Sequence, residues 1–400
     1  MIGNIPDGWR IAKLSQEGKF IRGVSYNKDD LLLESDEESI TLLRANNIQK
    51  TLYLKDFQHL NKSSVKDIQL LTYGDILLAM SSGSKHLVGK NIFIDKDLLN
   101  YSFGAFCSVF RSDNISKSKY ISKFFQSSYF KNSLSLNGTN INNLRTSDML
   151  NIKIPIPPLP QQEKIVKVLD ISSALIEKQK ELITNYDLFL KSKFIEIFGD
   201  IKNNPYGFDI EPLSNFGKII TGNTPPRKEL ENYDDNFIEW IKTDNISSSR
   251  LYVSQSKEYL SELGMSKGRV LEKNGLLVTC IAGSIKSIAN VAMTDRKITF
   301  NQQINAIQPN KDISPLYLYW LIKLNKNYIL TFATSSMKKM ISKGVFQEIP
   351  FIKAPFDLQN KFSEIALNID VIKNQETKKL EHLETLHKSL MDKAFKGEIK

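Results

Sequence analysis

The chain has 400 residues, 54 Lys and Arg against 44 Asp and Glu, a formal charge of +10, 41% apolar residues and 19 glycines. That composition lies in the range of folded globular chains and excludes a largely disordered or fibrous protein. Two cysteines, Cys107 and Cys280, exclude a disulfide framework or a cysteine-rich zinc site, and no window of about 18 apolar residues predicts a transmembrane helix.

The start, Met1-Ile2-Gly3-Asn4-Ile5-Pro6-Asp7-Gly8-Trp9, has no basic segment followed by an apolar stretch, so no secretory signal is expected and the predicted location is cytoplasmic. Pro6-Asp7-Gly8-Trp9-Arg10-Ile11 recurs as Pro205-Tyr206-Gly207-Phe208-Asp209-Ile210. Ile40-Thr41-Leu42-Leu43-Arg44-Ala45-Asn46-Asn47-Ile48 recurs as Ile238-Glu239-Trp240-Ile241-Lys242-Thr243-Asp244-Asn245-Ile246, and Gly74-Asp75-Ile76-Leu77-Leu78 as Asn274-Gly275-Leu276-Leu277-Val278. Ile154-Pro155 pairs with Ile349-Pro350. All matches keep their order at an offset of about 195 to 200 residues, so the chain is an internal duplication.

Within each copy, β-branched and alternating runs such as 75–80 and 275–280, set between Gly, Ser and Asn turns, predict strands. Short helices are predicted around 120–126 and 316–323. The proline run Ile154-Pro155-Ile156-Pro157-Pro158-Leu159-Pro160 cannot be regular helix or central strand.

Beyond it the period changes. Leu169, Ile176, Ile183, Leu190 and Ile197 recur every seven residues, with Val168, Leu175, Leu182 and Phe189 beside them, which predicts a coiled-coil helix over 161–198 closed by Gly199. Such a helix is about 57 Å long at ~1.5 Å per residue. In the last segment Ile365, Ile369, Ile372, Leu380, Leu383, Leu386, Leu390 and Ala394 form a second apolar stripe, and the two helices are expected to pair antiparallel. The competing expectation is that each packs on its own globular domain. The two helical segments are neutral together, whereas 1–160 and 201–358 each hold 20 basic and 15 acidic residues. Two basic modules joined by neutral rods suit two-point contact with a polyanion.

No Gly-x-Gly-x-x-Gly, Walker loop or His-Glu-x-x-His occurs, and Asn204-Pro205-Tyr206 lacks the second proline of an amino-methyltransferase motif. His59, His86, His382 and His387 include no metal-binding pair: the last two stand roughly 140° apart around their helix. Glu376-Thr377-Lys378 mimics a nuclease triplet but falls inside the last helix, and both cysteines read as buried thiols.

The junction Ile154-Pro155-Ile156-Pro157-Pro158-Leu159-Pro160-Gln161-Gln162-Glu163-Lys164-Ile165-Val166 resembles the sequence that closes a target recognition domain in specificity subunits of type I restriction–modification enzymes. Ile219-Ile220-Thr221-Gly222-Asn223-Thr224-Pro225-Pro226-Arg227, the Ile238–Lys242 run and the tail Leu390-Met391-Asp392-Lys393-Ala394-Phe395-Lys396-Gly397-Glu398 are similar to the same family. The second junction, Ile349-Pro350-Phe351-Ile352-Lys353-Ala354-Pro355-Phe356-Asp357, is a degenerate form of that pattern and leaves the exact start of the last helix open.

The resemblance implies an α+β fold: two β-rich target recognition domains joined by two long antiparallel coiled-coil helices, with an internal pseudo-twofold repeat. The expected segments are a first recognition domain over 1–154, junction and central helix over 155–203, a second recognition domain over 204–349 and the C-terminal helix over 350–400. It also implies a non-catalytic subunit that binds double-stranded DNA, two methyltransferase subunits and restriction subunits. S-adenosylmethionine, ATP and Mg would be bound by those partners, with no cofactor or metal in this chain.

Each recognition domain would read one half of a split, asymmetric site, with the helices setting the gap. Candidate contacts in the first module are Arg22, Arg44, Asn46, Asn47, Lys85 and His86; in the second, Thr224, Arg227, Lys228, Lys242, Asp244, Asn245 and Lys286. Arg and Lys can reach guanine O6 and N7 or phosphate, and Asn can pair with adenine. Asn46-Asn47 and Asp244-Asn245 could instead simply form turns. Leu169, Ile176, Ile183, Leu190, Ile197, Ile369, Ile372, Leu383 and Leu390 are the expected spacer seam, with any partner surface on the outer helix faces. The acidic run from Asp29 to Glu38 is expected to face away from DNA. The rival readings are a coiled-coil adaptor without sequence-specific DNA binding, and a single-chain DNA methyltransferase.

Overall fold

The computed structural model of the chain describes residues 5–49, 51–84, 87–134, 142–201, 203–334 and 340–399. It divides into two compact units, Met1–Gln179 with Lys379–Lys400, and Lys180–Lys378.

In the first unit one antiparallel sheet runs in the order Lys19–Arg22, Cys107–Arg111, Ile76–Ala79, Asn91–Phe93. The central run Ile76-Leu77-Leu78-Ala79 is buried throughout because both of its faces are covered. The two-residue period of a strand sends Ile76 and Leu78 to one apolar cluster with Phe110, and Leu77 and Ala79 to another with Cys107 and Val109. A second sheet orders Leu31–Leu32, Gln58–Asn61, Ser39–Leu43 and Tyr101–Phe103, the last pair parallel. Helix Ile115–Gln126 begins at Asn114, whose Oδ1 accepts the Lys117 N–H at 3.0 Å, and lays Tyr120, Ile121, Phe124 and Phe125 on the first cluster.

The second unit repeats the plan. Gly217–Thr221, Ile304–Pro309, Leu276–Thr279 and Val291–Met293 form its antiparallel sheet. Leu276 and Val278 face one cluster, Leu277 the other. Ile238–Ile241 joins Tyr259–Leu260 antiparallel and Ile298–Phe300 parallel, and helix Pro315–Leu324 stands where Ile115–Gln126 stood.

In each unit the first strand pairs antiparallel with the strand at the proline junction: Arg10–Lys13 with Lys153–Ile156, and Asp209–Pro212 with Pro350–Lys353. A buried tyrosine from the unit's own helix locks the junction. Tyr120 donates to the Pro155 carbonyl at 2.7 Å, and Tyr317 to that of Ile352 at 2.6 Å. The chain therefore leaves each module directly beside the point where it entered, and a long helix starts there.

The central helix is Leu159–Phe198; Gly199 follows at φ +76°, a left-handed cap that a side chain would strain. The C-terminal helix is Phe356–Ala394 and contains Glu376-Thr377-Lys378. Within the first unit Gln161 reaches the Ile399 carbonyl at 3.3 Å, and Ser172 Oγ lies 2.7 Å from His387 Nδ1. Within the second, Lys373 Nζ bonds Asp187 Oδ1 at 2.6 Å, and the Phe362 ring meets Phe194 and Phe198 at 5.2 and 5.7 Å. In both, one residue number rises as the other falls, the mark of antiparallel pairing.

Helix pairing and packing on the modules both occur. Ile165, Val166 and Leu169 join the first core with Met391, Ala394 and Phe395, while Leu190, Phe194 and Phe198 join the second with Phe362 and Ala366. Each core is thus closed by one end of each helix. Full burial of one such Leu or Phe contributes about 1.5–3 kcal/mol.

Leu169, Ile176 and Leu190 are buried, and Ile183, Ile197, Ile369, Ile372, Leu383 and Leu390 half-buried. Of the residues read as running beside the central seam, Val168 is half-buried and Leu175, Leu182 and Phe189 are exposed, as is Leu386 of the second stripe. Two helices cover one narrow seam and leave the adjoining heptad positions open. His387 is half-buried against Ser172. Among the described residues no helix is long and apolar enough to cross a membrane, and no cluster of three or more His, Cys, Asp or Glu could hold a metal ion.

Candidate nucleic-acid interface

Both modules build the same pair of adjoining turns. The strands Lys19–Arg22 and Gly217–Thr221 each end at a glycine that touches the opposite backbone. A Cβ on Gly23 would stand 2.1 Å from the Gly104 carbonyl oxygen, and one on Gly222 2.1 Å from that of Asn301. Only glycine allows that approach. The loops that follow, from Val24 and Asn223, are tied by backbone bonds to Phe103 and Phe300 at 2.8 and 3.1 Å.

The second turn starts at Arg44 in one module and Lys242 in the other. Each backbone N–H donates to an asparagine three residues on: Arg44 to Asn47 at 2.9 Å, and Lys242 to Asn245 at 3.0 Å. Asn47 then donates to the carbonyls of Tyr53 and Lys55, and Asn245 to Ser254 Oγ and the Gln255 carbonyl. Both asparagines are buried, Asn47 completely. Their amides hold the turn, which is the turn-forming alternative rather than base contact. The residues beside them, Asn46 and Asp244, are the exposed tips.

The side chains around the shared backbone differ. In the first module a cavity of about 430 Å³ is lined by Tyr26, Arg44, Asn46, Gly104 and Phe106 among others. Arg44 Nη2 donates to the Asp56 carbonyl at 2.9 Å, and its Nε is buried with no hydrogen-bond partner among the described residues. Tyr26 donates to Gln58 Oε1 at 2.6 Å, and the Phe106 ring is exposed. Arg22 is exposed at the strand end; Lys85 and His86 lie outside the described residues.

In the second module Arg227 stacks over the Tyr233 and Trp240 rings, each 4.7 Å from the guanidinium carbon. Arg227 also pairs with Glu258 at 2.7 Å, and Lys242 pairs with the other oxygen of the same carboxylate. Lys242 Nζ lies 5.3 Å from the centre of the Trp240 ring. Burial raises the Tyr233 pKa, opposed by the Arg227 charge. Thr224 donates to Gln302, and Lys228 is exposed. Lys286 is exposed on a loop that leaves the sheet beside Gln303, and its carbonyl accepts from Lys326 Nζ at 2.5 Å. Burial lowers the Lys326 pKa.

Cys107 and Cys280 lie buried at the ends of these sheets, and desolvation pushes both thiols up to about 12, so they stay protonated at neutral pH. The acidic residues Asp29, Asp30, Glu34, Asp36, Glu37 and Glu38 are exposed. Sequence reasoning missed Gln58, Tyr26, Phe106, Glu258, Tyr233 and Gln302. Gln58 and Glu258 stand 200 residues apart, within the repeat offset, so aligning the two copies through their second strand pair would have found them.

The family model described as "Type I restriction modification DNA specificity domain" matches twice, over residues 6–185 and 205–384. The type I restriction enzyme EcoKI specificity subunit of Escherichia coli K12 is 27% identical over 425 aligned positions, covering 99% of this chain and 90% of that protein. The StySPI specificity subunit of Salmonella potsdam is 26% identical over 99% of this chain and 90% of its own length. Among solved structures, a chain from work on complex assembly and conformational transition of the type I R-M system superposes with a TM-score of 0.61 at 16% identity, covering 99% of this chain and all of that one. The type I S subunit from M. genitalium gives 0.55 at 16% identity, covering 98% and 96%.

Proposed function

As the chain belongs to the type I restriction–modification DNA specificity family, we propose that it is the sequence-reading subunit of a type I restriction–modification complex, with no catalytic centre of its own. Each module reads one half of a bipartite, asymmetric site in double-stranded DNA, and the helix pair sets the gap between the halves. The observation that carries this reading is the repeated module itself, in which one backbone turn is held in the same way twice and dressed with different side chains.

Base identity is written as donors, acceptors and methyl groups in the major groove. Arg22, Arg44 and Asn46 present the first set, to which Lys85 and His86 are assigned from the sequence. Thr224, Arg227, Lys228, Lys242, Asp244 and Lys286 present the second. Lys and Arg on the rims hold phosphates and set register, while Asn47 and Asn245 hold the turns. A 40-residue helix, about 60 Å long, exceeds the ~34 Å of one duplex turn, so a helical spacer can define the gap where a flexible linker could not.

The partners in this reading are two methyltransferase subunits and, for restriction, restriction subunits, which bring S-adenosylmethionine, ATP and Mg. The exposed apolar side chains of the helices, such as Leu182 and Phe189, are where a methyltransferase subunit docks. The compartment is the cytoplasm, where the host's DNA lies.

The test is a map of N6-methyladenine in cells with and without this chain and its methyltransferase partner. The expected result is a two-part, asymmetric motif that disappears with the chain. Methylation with no sequence preference would favour an adaptor, and methyl transfer by the purified chain alone would favour a single-chain methyltransferase.

A further inference from the structure

The two modules can be superposed through their sheet registers. Ser39–Leu43 lies between Tyr101–Phe103, with Leu43 opposite Phe103, and Gln58–Asn61, with Leu42 opposite Gln58. Ile238–Ile241 lies between Ile298–Phe300, with Ile241 opposite Phe300, and the strand of Tyr259, which stands opposite Glu239. The Trp240 N–H donates to the Glu258 carbonyl at 3.0 Å, so Glu258 stands opposite Trp240. Gln58 and Glu258 are therefore the same station, each opposite the residue two before the basic one that opens the asparagine-held turn.

At that station the chemistry is opposite. In the first module the neutral Gln58 is engaged by the Tyr26 hydroxyl, and among the described residues no acid pairs with Arg44, whose Nη2 donates once to the Asp56 carbonyl and whose Nη1 makes no hydrogen bond at the lining of an open cavity. A guanidinium with unused N–H groups calls for a base edge with two acceptors, which in the major groove is guanine O6 and N7. In the second module the Glu258 carboxylate accepts from Arg227 and Lys242. An ionised carboxylate has about four acceptor sites, so two remain for a donor from the DNA. The base group that supplies one is an exocyclic amine, of cytosine or adenine.

We propose that Gln58 and Glu258 are the equivalent specificity-determining positions of the two modules: Gln58 leaves Arg44 free to read guanine, and Glu258 makes its station read a base bearing an exocyclic amino group. Gln58 acts through Arg44 and is a positioning residue, whereas Glu258 touches the base. The inference rests on the DNA-reading function proposed above and deepens it.

The experiment uses the full chain co-expressed with its methyltransferase partner and reads the methylated motif from genomic DNA. Glu258→Gln puts an amide that both donates and accepts where an acceptor-only group stood. One position of the second half-site should then lose its amino-base requirement, with discrimination falling by about tenfold or more, while the first half-site and the gap stay unchanged. Gln58→Glu puts at the first station the carboxylate that pairs with Lys242 in the second and should weaken the guanine requirement at one position of the first half-site only. Glu258→Asp keeps the carboxylate and should retain the original motif at lower occupancy.

A structural role would lower methylation evenly without changing any base. If Glu258→Gln and Gln58→Glu both leave the motif unaltered, whether or not methylation falls, the assignment is overturned. If the unmodified complex yields no bipartite motif at all, the DNA-reading function itself fails, and that result is distinguishable because it appears before any substitution is made.

Discussion

Phe362 is the side chain on which closure of the second module turns. It lies in the second turn of the C-terminal helix, fully buried, with ring centroids 5.2 Å from Phe194, 5.7 Å from Phe198 and 6.3 Å from Trp320. Phe194 and Phe198 belong to the end of the central helix, and Trp320 to the module's own helix. Phe362→Ala removes the ring that joins all three. Truncation of a fully buried Phe costs about 3–5 kcal/mol, and in a unit of this size each kcal/mol shifts Tm by roughly 2–4 °C. The melting transition of the second unit should therefore fall by about 6–20 °C.

Leu367 on the same helix is 45% exposed, and Leu367→Ala should stay within ~1 kcal/mol. Scanning calorimetry measures both variants, and limited proteolysis with peptide mapping locates the weakened region, with cuts expected first inside 180–378. The second half-site of the methylated motif should lose its definition before the first. If Phe362→Ala melts together with Leu367→Ala, the helix ends do not close this core as the ring contacts indicate.

Deleting one heptad from each long helix removes about 10 Å at ~1.5 Å per residue and should shorten the gap in the methylated motif by about three base pairs with both half-sites intact; a methylome with the original gap would contradict the spacer role. His387 is held below the ordinary imidazole pKa first by burial and then by the Lys123 charge. The fold favours its neutral ring and the unfolded chain takes up the proton, so this stability is present above the ordinary value and declines as pH falls through it. Thermal melts of the native chain and His387→Gln between pH 8 and 5 should converge toward the acid end, and parallel curves would contradict the assignment. Leu182→Ser with Phe189→Ser should reduce co-purification of the methyltransferase subunit while leaving the melt within ~1 kcal/mol; unchanged co-purification would place the docking surface elsewhere.

The duplication, the strands around Leu77 and Leu277, and the two long helices were all legible without coordinates. Each depends on a pattern along one chain: an unbroken apolar run between turn residues for a strand buried on both faces, a seven-residue spacing for a helix seam, and an offset of about 200 for the repeat. Local chemistry was legible too, in the asparagines that terminate the Arg44 and Lys242 turns. Sequence alone left open whether Asn47 and Asn245 face a ligand or hold the backbone, because an amide serves either purpose equally well. Their burial decided it.

The side chains across the sheet from the Arg44 and Lys242 turns were hidden for a different reason. Gln58 and Glu258 lie on neighbouring strands, and the charge a side chain meets across a sheet is set by register, which no single stretch of residues encodes. The same holds for Leu175, Leu182 and Phe189. Their spacing marks them as helical and apolar, but whether such a stripe is covered depends on how many helices pack there. Periodicity along the chain thus determined what each segment becomes, whereas proximity across the fold decided which side chains share a site and which remain open to a partner.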